Sequence, residues 1–425
     1  MSSIVVSGDT SGSVTLSAPA VSGSSVLTLP VATDTLVGKA TTDTLTNKTL
    51  TSPTLTTPAL GTPASGILTS CTGVNYDGFK SRIINGAMVI DQRNGGAAVT
   101  INSTAETYTL DRWLAIGQSS AGVYTVDQVQ DAPSGFIDSL KVTVTTQDAT
   151  LGAAEYYWVQ QKIEGYNAAD LAWGSASAKP VTLSFWVKSS VTGTFSGSFS
   201  NSAFNYSYAY EYTINTANTW EQKTISIIGA PAGTWLTTNG IGVRIYWDLG
   251  VGTNYTGVAG SWQSAGYTGS TGSTKLIQTL NATWQITGVQ LEVGSQATSF
   301  DFRSIGTELA LCQRYFQKIT WTDSNLIVGQ ASTSSQVNAA AVYFVQEVRA
   351  TPTITLPTAG TSTGNATFLN AAGSYPATIG SVATEAIRNT GFSIRCTGYT
   401  GAFVAGNASL YYGVGTPTIS ISAEL

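Results

Sequence analysis

Aromatic side chains with strand-like spacing are the first candidates for a binding site in this sequence. Between residues 204 and 212 every second residue is aromatic, and the residues between them are small or polar. Because successive side chains of a β-strand point to opposite faces, all the aromatic ones are expected on one face. Such rings can stack on sugars, but aromatic residues also dominate sandwich cores and interfaces, which we favour here. This predicted aromatic face consists of Phe204, Tyr206, Tyr208, Tyr210 and Tyr212.

A glycine-rich segment over residues 250–272 carries a second aromatic set, Tyr255, Trp262 and Tyr267. No strand period organises these residues, and binding residues often gather on loops held by a rigid scaffold. We therefore predict that these three side chains contact a glycan. An equally favoured alternative is that Trp262 folds back as a plug, since tryptophan is usually largely buried.

Residues for catalysis are poorly represented. The sequence contains no histidine, which removes Ser-His and Cys-His nucleophile pairs and most catalytic zinc sites. Two carboxylates at a suitable separation could hydrolyse glycosides, but nothing in the sequence pairs any of the acids of the central region. We predict that the protein is not an enzyme and needs no metal or cofactor. The acids considered are Glu155, Glu164, Glu211, Glu221 and Asp248.

The composition indicates a β-rich protein with a neutral surface. Charged residues make up only 10% of the 425 residues, and the net charge is −5 with no basic run, which argues against nucleic-acid binding. Three widely spaced cysteines favour folding in a reducing cytosol. We find no signal peptide and no apolar stretch long enough to cross a bilayer. These features are typical of a virion protein made in the host cytoplasm and released by lysis.

A five-residue repeat runs from Thr44 to Leu68, with proline at every fifth position over part of it. Each proline removes a backbone donor and clashes with the preceding turn, which excludes a continuous helix. One copy cannot bury its leucines alone, so we predict a thin shaft of intertwined chains, most simply a homotrimer. The shaft leucines are Leu45, Leu50, Leu55 and Leu60.

Strand-like runs separated by Gly, Pro, Asn and Ser predict the rest of the fold, which is mostly β. Ten such runs indicate a jelly-roll β-sandwich, and seven more indicate a smaller C-terminal sandwich. The expected order is a weak β segment at 1–43, the shaft at 44–75, the jelly roll at 76–303, a connecting helix at 304–319 and the small sandwich at 320–425.

The connecting helix has an apolar seam with spacings of four and three residues, and Ser304 can cap its N-terminus. Two arrangements are equally favoured: a trimeric coiled-coil neck, or a helix that docks on its own sandwich. The seam consists of Ile305, Leu309, Cys312, Phe316 and Ile319.

Several segments resemble bacteriophage tail proteins. The repeat region resembles the N-terminal and shaft repeats of tail-fibre and related virion proteins, in the run TDTLVGKATTDTLTNKTLTSPTLTTPALGTP. The resemblance implies a trimer whose N-terminal end faces the virion. Asp111-Arg112-Trp113 and the runs 181–188 and 284–292 resemble carbohydrate-binding-module-like jelly rolls of phage structural proteins. The segment 308–316 resembles the connection from such a jelly roll to a C-terminal β domain.

We therefore predict a trimeric tail-fibre or tail-tip subunit. Its N-terminal end would contact other virion tail proteins, and its distal part would bind a host surface molecule, most simply a glycan, without catalysis. Three weak copies of one site would act together through avidity. The alternatives are a virion scaffold of the collar, baseplate or capsid, which binds no receptor, and a polysaccharide depolymerase.

Overall fold

A computed structural model describes residues 3–7, 11–17, 80–118, 121–320, 325–333, 335–358, 366–370, 381–398, 403, 405, 407–413 and 416–425. The chain divides into two compact units, Met1–Val74 and Asn75–Leu425. In the first unit, β1 (Ser3–Ser7) and β2 (Ser13–Ser17) pair as an antiparallel hairpin. The shaft leucines lie outside the described residues, so the intertwined shaft stays a prediction.

In the described residues of the second unit up to Val293, strands form most of the regular secondary structure, and four short 3-10 helices form the rest. Runs of alternating apolar and polar residues form the long strands, and glycine or proline lies in most of the connections. They are β3 (Val99–Ile101), β4 (Thr107–Tyr108), β5 (Trp113–Gly117), β6 (Val123–Val129), β7 (Ser139–Thr146), β8 (Tyr156–Glu164), β9 (Val181–Ser189), β10 (Gly193–Ser200), β11 (Ser207–Ile214), β12 (Glu221–Ile227), β13 (Ile241–Val251), β14 (Thr256–Gly257), β15 (Trp262–Gln263), β16 (Gly269–Ser270) and β17 (Thr283–Val293).

Two antiparallel sheets enclose the main core. One has seven strands in the order β15-β11-β10-β13-β8-β5-β4, and the other has six in the order β12-β9-β17-β7-β6-β3. Trp113, Trp247 and Trp284 are fully buried between them. The predicted mostly-β fold with a central sandwich is confirmed.

Side-chain alternation in β10 and β11 shows how the seven-stranded sheet presents two different faces. Phe195 and Phe199 point into the core, whereas Ser196 and Ser198 point outward and bind the segment that crosses the outer face. Gly197 permits a close approach: a Cβ there would lie 2.1 Å from the carbonyl oxygen of Tyr246. The outer face is therefore polar and partly covered.

One helix, α1 (Ile305–Gln313), follows the sandwich, and Ser304 Oγ caps it by accepting a hydrogen bond from the Thr307 backbone N–H. The prediction of a helix over 304–319 was too long, because Phe316 already belongs to a strand and pairs with Ser422. The last two residues of the predicted seam, Phe316 and Ile319, therefore pair with β26 in a sheet. The helix is too short to form a two-heptad coiled-coil neck. Within the described part of the chain, no helix is long and apolar enough to cross a membrane.

The helix docks on its own sandwich. Cys312 is completely buried and packs in a small apolar cluster with Ile84, Ile90 and Tyr315. Ile305, at the N-terminal end, remains 61% exposed. The docked arrangement is therefore the one observed within this unit.

The C-terminal part contains a second pair of sheets. A three-stranded sheet in the order β18-β26-β21 and a six-stranded sheet in the order β22-β25-β19-β20-β24-β23 share an apolar core that contains Val337, Phe392 and Ile421. The strands are β18 (Phe316–Thr320), β19 (Asn325–Thr333), β20 (Gln336–Tyr343), β21 (Thr353–Thr355), β22 (Ala366–Asn370), β23 (Ser381–Arg388), β24 (Gly391–Thr397), β25 (Ala408–Gly413) and β26 (Thr418–Ser422).

Charged side chains join the two sandwiches within Asn75–Leu425. Glu424, just after β26, pairs with Arg93 at 2.6 Å and also with Arg112. Arg314 forms two hydrogen bonds with Glu164, at 2.7 and 2.9 Å. In a chain so poor in charge, these pairs concentrate ionic interactions at the junction.

Candidate functional site

Outward-pointing aromatic residues of β8 form the basis of the candidate site. Tyr157 and Val159 point into the core, so Tyr156 and Trp158 point to the outer face of the seven-stranded sheet. Their rings stack with centroids 4.6 Å apart and an interplanar angle of 23°. Tyr255, from the segment after β13, meets Tyr156 edge-on at 5.3 Å and 82°. We call Tyr156, Trp158 and Tyr255 the aromatic patch.

Tyr246 of β13 packs against the Trp158 ring of the aromatic patch. Its ring is edge-on to Trp158 at 5.4 Å and 88°, and Phe204 packs on it at 6.0 Å. Burial raises the pKa of Tyr246, and burial followed by the neighbouring Tyr255 raises the pKa of Tyr156. Both hydroxyls therefore stay protonated and uncharged around neutral pH, where they can donate as well as accept hydrogen bonds.

The patch stands apart from the packed interior. Tyr156, Trp158 and Tyr255 belong to none of the three apolar clusters, nor to the partly buried residues that pack against them. All three are partly exposed. An exposed group of rings that no core requires is a surface on which a ligand can stack.

Trp262, one of the three loop residues predicted to contact a glycan, folds back and packs at the edge of the seven-stranded sheet. In β15 it pairs with Tyr208, and its indole N–H donates to the Ile228 carbonyl at 2.9 Å. Its ring stacks on Tyr206 at 5.5 Å and is edge-on to Trp173 at 5.4 Å. It packs against the main core, as in the alternative considered from the sequence.

The three predicted loop residues therefore do not converge. Tyr255 lies in the aromatic patch and Trp262 in a ring cluster at the sheet edge. Tyr267 is partly buried, and a Cβ on Gly257 would lie 2.4 Å from its ring. Its backbone N–H donates to Ser207 Oγ at 3.0 Å, so this tyrosine helps to hold the segment down.

The residues of the predicted aromatic face also separate. Tyr208, Tyr210 and Tyr212 are 7%, 1% and 5% exposed and belong to the main core. Tyr206 stacks at the edge on Trp262. Phe204 precedes the strand with a φ of +53°. Because this left-handed turn interrupts the alternation before β11 begins, Phe204 packs on Tyr246 at the outer face.

Sequence reasoning missed Tyr156 and Trp158, although it predicted a strand over 154–164. The sequence does contain a signal for this pair: Tyr156 and Trp158 are two positions apart, as residues on the same face of a strand are. Tyr157 lies between them, so both faces of the strand carry an aromatic residue, and alternation alone does not say which face is outward.

Three of the five carboxylates considered for catalysis, Glu164, Glu221 and Asp248, take part in structural contacts. Asp248 is fully buried and accepts hydrogen bonds from Ser196 Oγ and Lys275 Nζ, both at 2.8 Å. Glu164 binds Arg314, as described above, and Glu221 pairs with Lys223 at 2.6 Å. Across the described ranges, no group of three or more His, Cys, Asp or Glu side chains is placed to hold a metal ion.

Comparisons with known proteins give remote structural similarity. No protein-family model and no curated protein sequence matches the chain. Solved structures that align with it include the enzymatically active domain of tailspike protein 4 of bacteriophage CBA120, at 12% identity and a TM-score of 0.27, over 51% of this chain and 22% of that one. The chain thus aligns with about a fifth of that tailspike domain.

Two further similar structures are described as sugar-binding proteins. A putative sugar binding protein from Bacteroides thetaiotaomicron aligns over 50% of this chain and 100% of its own, at 10% identity and a TM-score of 0.29. A family 11 carbohydrate-binding module from Clostridium thermocellum aligns over 48% and 100%, at 12% identity and a TM-score of 0.25. At these scores the similarity carries no argument about the site.

Proposed function

We propose that the protein is a subunit of a bacteriophage tail fibre or tail tip that attaches the virion to a host surface glycan without catalysis. The observation that supports this most directly is the aromatic patch. It is uncharged, partly exposed and unnecessary to the cores, and it lies on a rigid sheet. The phage-like repeat region supports a place in the virion, with the N-terminal end toward other tail proteins.

The chemistry of the patch suits a sugar. Ring faces and edges offer apolar surface to the C–H groups of a pyranose, and the hydroxyl groups of Tyr156 and Tyr255 can bind sugar hydroxyls. A shallow site of this kind binds weakly. Three copies on one fibre would raise the overall affinity because the second and third contacts become intramolecular.

Removing the rings tests the proposal. In Tyr156→Ala/Trp158→Ala, affinity for polysaccharide should fall about thirtyfold, the loss expected when a central aromatic contact is removed. Retardation of the full-length protein in native gels that contain polysaccharide from a bacterial surface measures this. The matched control is Tyr343→Ala, since Tyr343 is 78% exposed and lies outside the patch.

Equal retardation of the two variants would remove the patch from the proposal. If the wild-type protein bound no surface polysaccharide and no cells, the scaffold alternative would be favoured instead. New reducing ends in the same mixtures would identify a depolymerase.

The trimer is tested separately. Light scattering of the full-length protein should give the mass of three 44.2 kDa chains. Replacing shaft leucines in Leu50→Asp/Leu55→Asp should reduce the trimer fraction, because each copy would bring charge to the shared apolar axis. The control is Thr51→Asp/Thr56→Asp, which adds the same charge one position along each repeat. A wild-type monomer, or equal loss in both variants, would contradict the shaft hypothesis.

A further inference from the structure

A groove of about 460 Å³ with a mixed polar and apolar lining is formed in part by the segment that carries Tyr255. Its walls come from the segment before β8, the segment after β13 and the turn before β17. The side chains that can form hydrogen bonds there are Thr253, Thr256, Thr271, Lys275 and Gln278.

The groove and the patch share the segment 253–256. Thr253 and Thr256 both line the groove, and Tyr255 lies between them in the chain. Two backbone hydrogen bonds join the walls: Gly252 N–H donates to the Glu155 carbonyl at 2.8 Å, and Asn254 N–H donates to the Ala153 carbonyl at 3.0 Å. A ligand that stacks on Tyr255 is therefore close to the groove residues Thr253 and Thr256, which flank it in the chain.

Several side chains of the groove can form hydrogen bonds with a ligand. Thr256 Oγ1 donates to the Thr253 carbonyl and Thr271 Oγ1 to the Gly257 carbonyl, both at a long 3.4 Å. These contacts are near the limit for a hydrogen bond, so a ligand hydroxyl can replace them at small cost. Thr253 and Gln278 are exposed.

The charge of the groove is neutralised. Lys275 is the only charged residue that lines it among the described residues. Its ammonium lies 2.8 Å from Asp248 Oδ2 and 2.9 Å from Ser273 Oγ, and Asp248 is fully buried. Two of the three ammonium hydrogens are thus engaged, and the third can bind a neutral hydroxyl.

We propose that this groove is a second subsite, which binds the hydroxyl groups of a neutral oligosaccharide whose adjoining sugar stacks on the aromatic patch. The inference rests on the proposed function and narrows it: the ligand spans at least two sugar units and carries no carboxylate or phosphate in this region. An acidic group would face a cation whose charge Asp248 already balances, so it would give up hydration without a free counter-charge.

The test uses full-length protein in native gels that contain either neutral polysaccharides (mixed-linkage β-glucan, galactomannan or dextran) or acidic ones (alginate or polygalacturonate). The groove variant is Thr253→Val/Thr256→Val/Gln278→Leu, which removes three hydrogen-bonding groups with little change in shape. For whichever neutral polysaccharide retards the wild-type protein, we expect the affinity of the groove variant to be about tenfold lower. The control is Thr125→Val/Thr143→Val, on a cross-strand pair of the six-stranded sheet, which should bind as the wild type does.

The outcomes separate the groove from the proposed function. If retardation by the polysaccharide decreased in Tyr156→Ala/Trp158→Ala but not in the groove variant, the second subsite would be overturned and the proposed function would remain. Tighter binding of the acidic polysaccharides would overturn the neutral ligand. If none of these polysaccharides retarded the wild-type protein, the neutral second subsite would be overturned, whereas the proposed function would be overturned only if polysaccharide from a bacterial surface and whole cells also failed to bind.

Discussion

Replacing Glu424 by glutamine is expected to lower the free energy of unfolding by about 3 kcal/mol, because it leaves a buried cation without its counter-charge. Glu424 lies between Arg93 and Arg112, and Arg112 is only 1% exposed. The guanidinium of Arg112 stacks on the Tyr315 ring at 3.6 Å. Burial alone would lower the pKa of Arg112, but Glu424 together with Tyr315, Tyr108 and Cys312 outweighs it, and the pKa is raised.

Urea unfolding followed by tryptophan fluorescence measures the effect of Glu424→Gln. The matched control is Asp170→Asn, which removes one charge from a surface pair with Arg82 at 2.7 Å, in which the Asp170 side chain is 51% exposed. Such a pair contributes less than about 1 kcal/mol. Similar losses in the two variants would show that burial of the Glu424 network does not govern its contribution.

Truncating Trp113 to alanine is expected to cost about 4 kcal/mol of the free energy of unfolding. Trp113 is fully buried, and its ring lies 5.2 Å from that of Trp247. Its indole N–H donates to the Asn85 carbonyl at 3.0 Å. The truncation therefore leaves a cavity and removes one of the two hydrogen bonds to this carbonyl, which also accepts one from the Met88 backbone N–H at 3.2 Å.

The same urea experiment tests Trp113→Ala against Trp235→Ala. Trp235 is partly buried in a loop, and its N–H bonds within that loop, to the Ala232 carbonyl at 3.0 Å. Its loss should cost less than about 2 kcal/mol, because the loop can relax into the vacated space. A cost for Trp235→Ala equal to that for Trp113→Ala would place an essential part of the core in the ring cluster around Trp262.

Local patterns made much of the fold predictable. Alternation and turn residues act over a few positions, so a long strand such as Thr283–Val293 could be placed from the sequence. The helix was found but made too long. Phe316 and Ile319 fit a helical seam equally well, and only their pairing with β26, about a hundred residues later, assigns them to a strand.

The candidate site was predictable only in part. Tyr255 was identified from its loop, but its neighbours Tyr156 and Trp158 lie in a strand that carries aromatic residues on both faces. Trp262 was identified for the same reason as Tyr255, yet it packs against Trp173 and Tyr206. Whether a ring is buried depends on partners distant in the chain, which no local pattern contains.

The sequence by itself determined the mostly-β character, the succession of strands along the chain and the five-residue repeat. Backbone preferences and side-chain periodicity are local properties. The tertiary structure alone decided which aromatic residues face outward, where the helix ends and how charge is balanced. Glu424 and Arg112 are 312 residues apart in the chain, and Asp248 meets Lys275 only because a segment folds back over the sheet. Such contacts arise from long-range packing, and that packing forms both the aromatic patch and the groove.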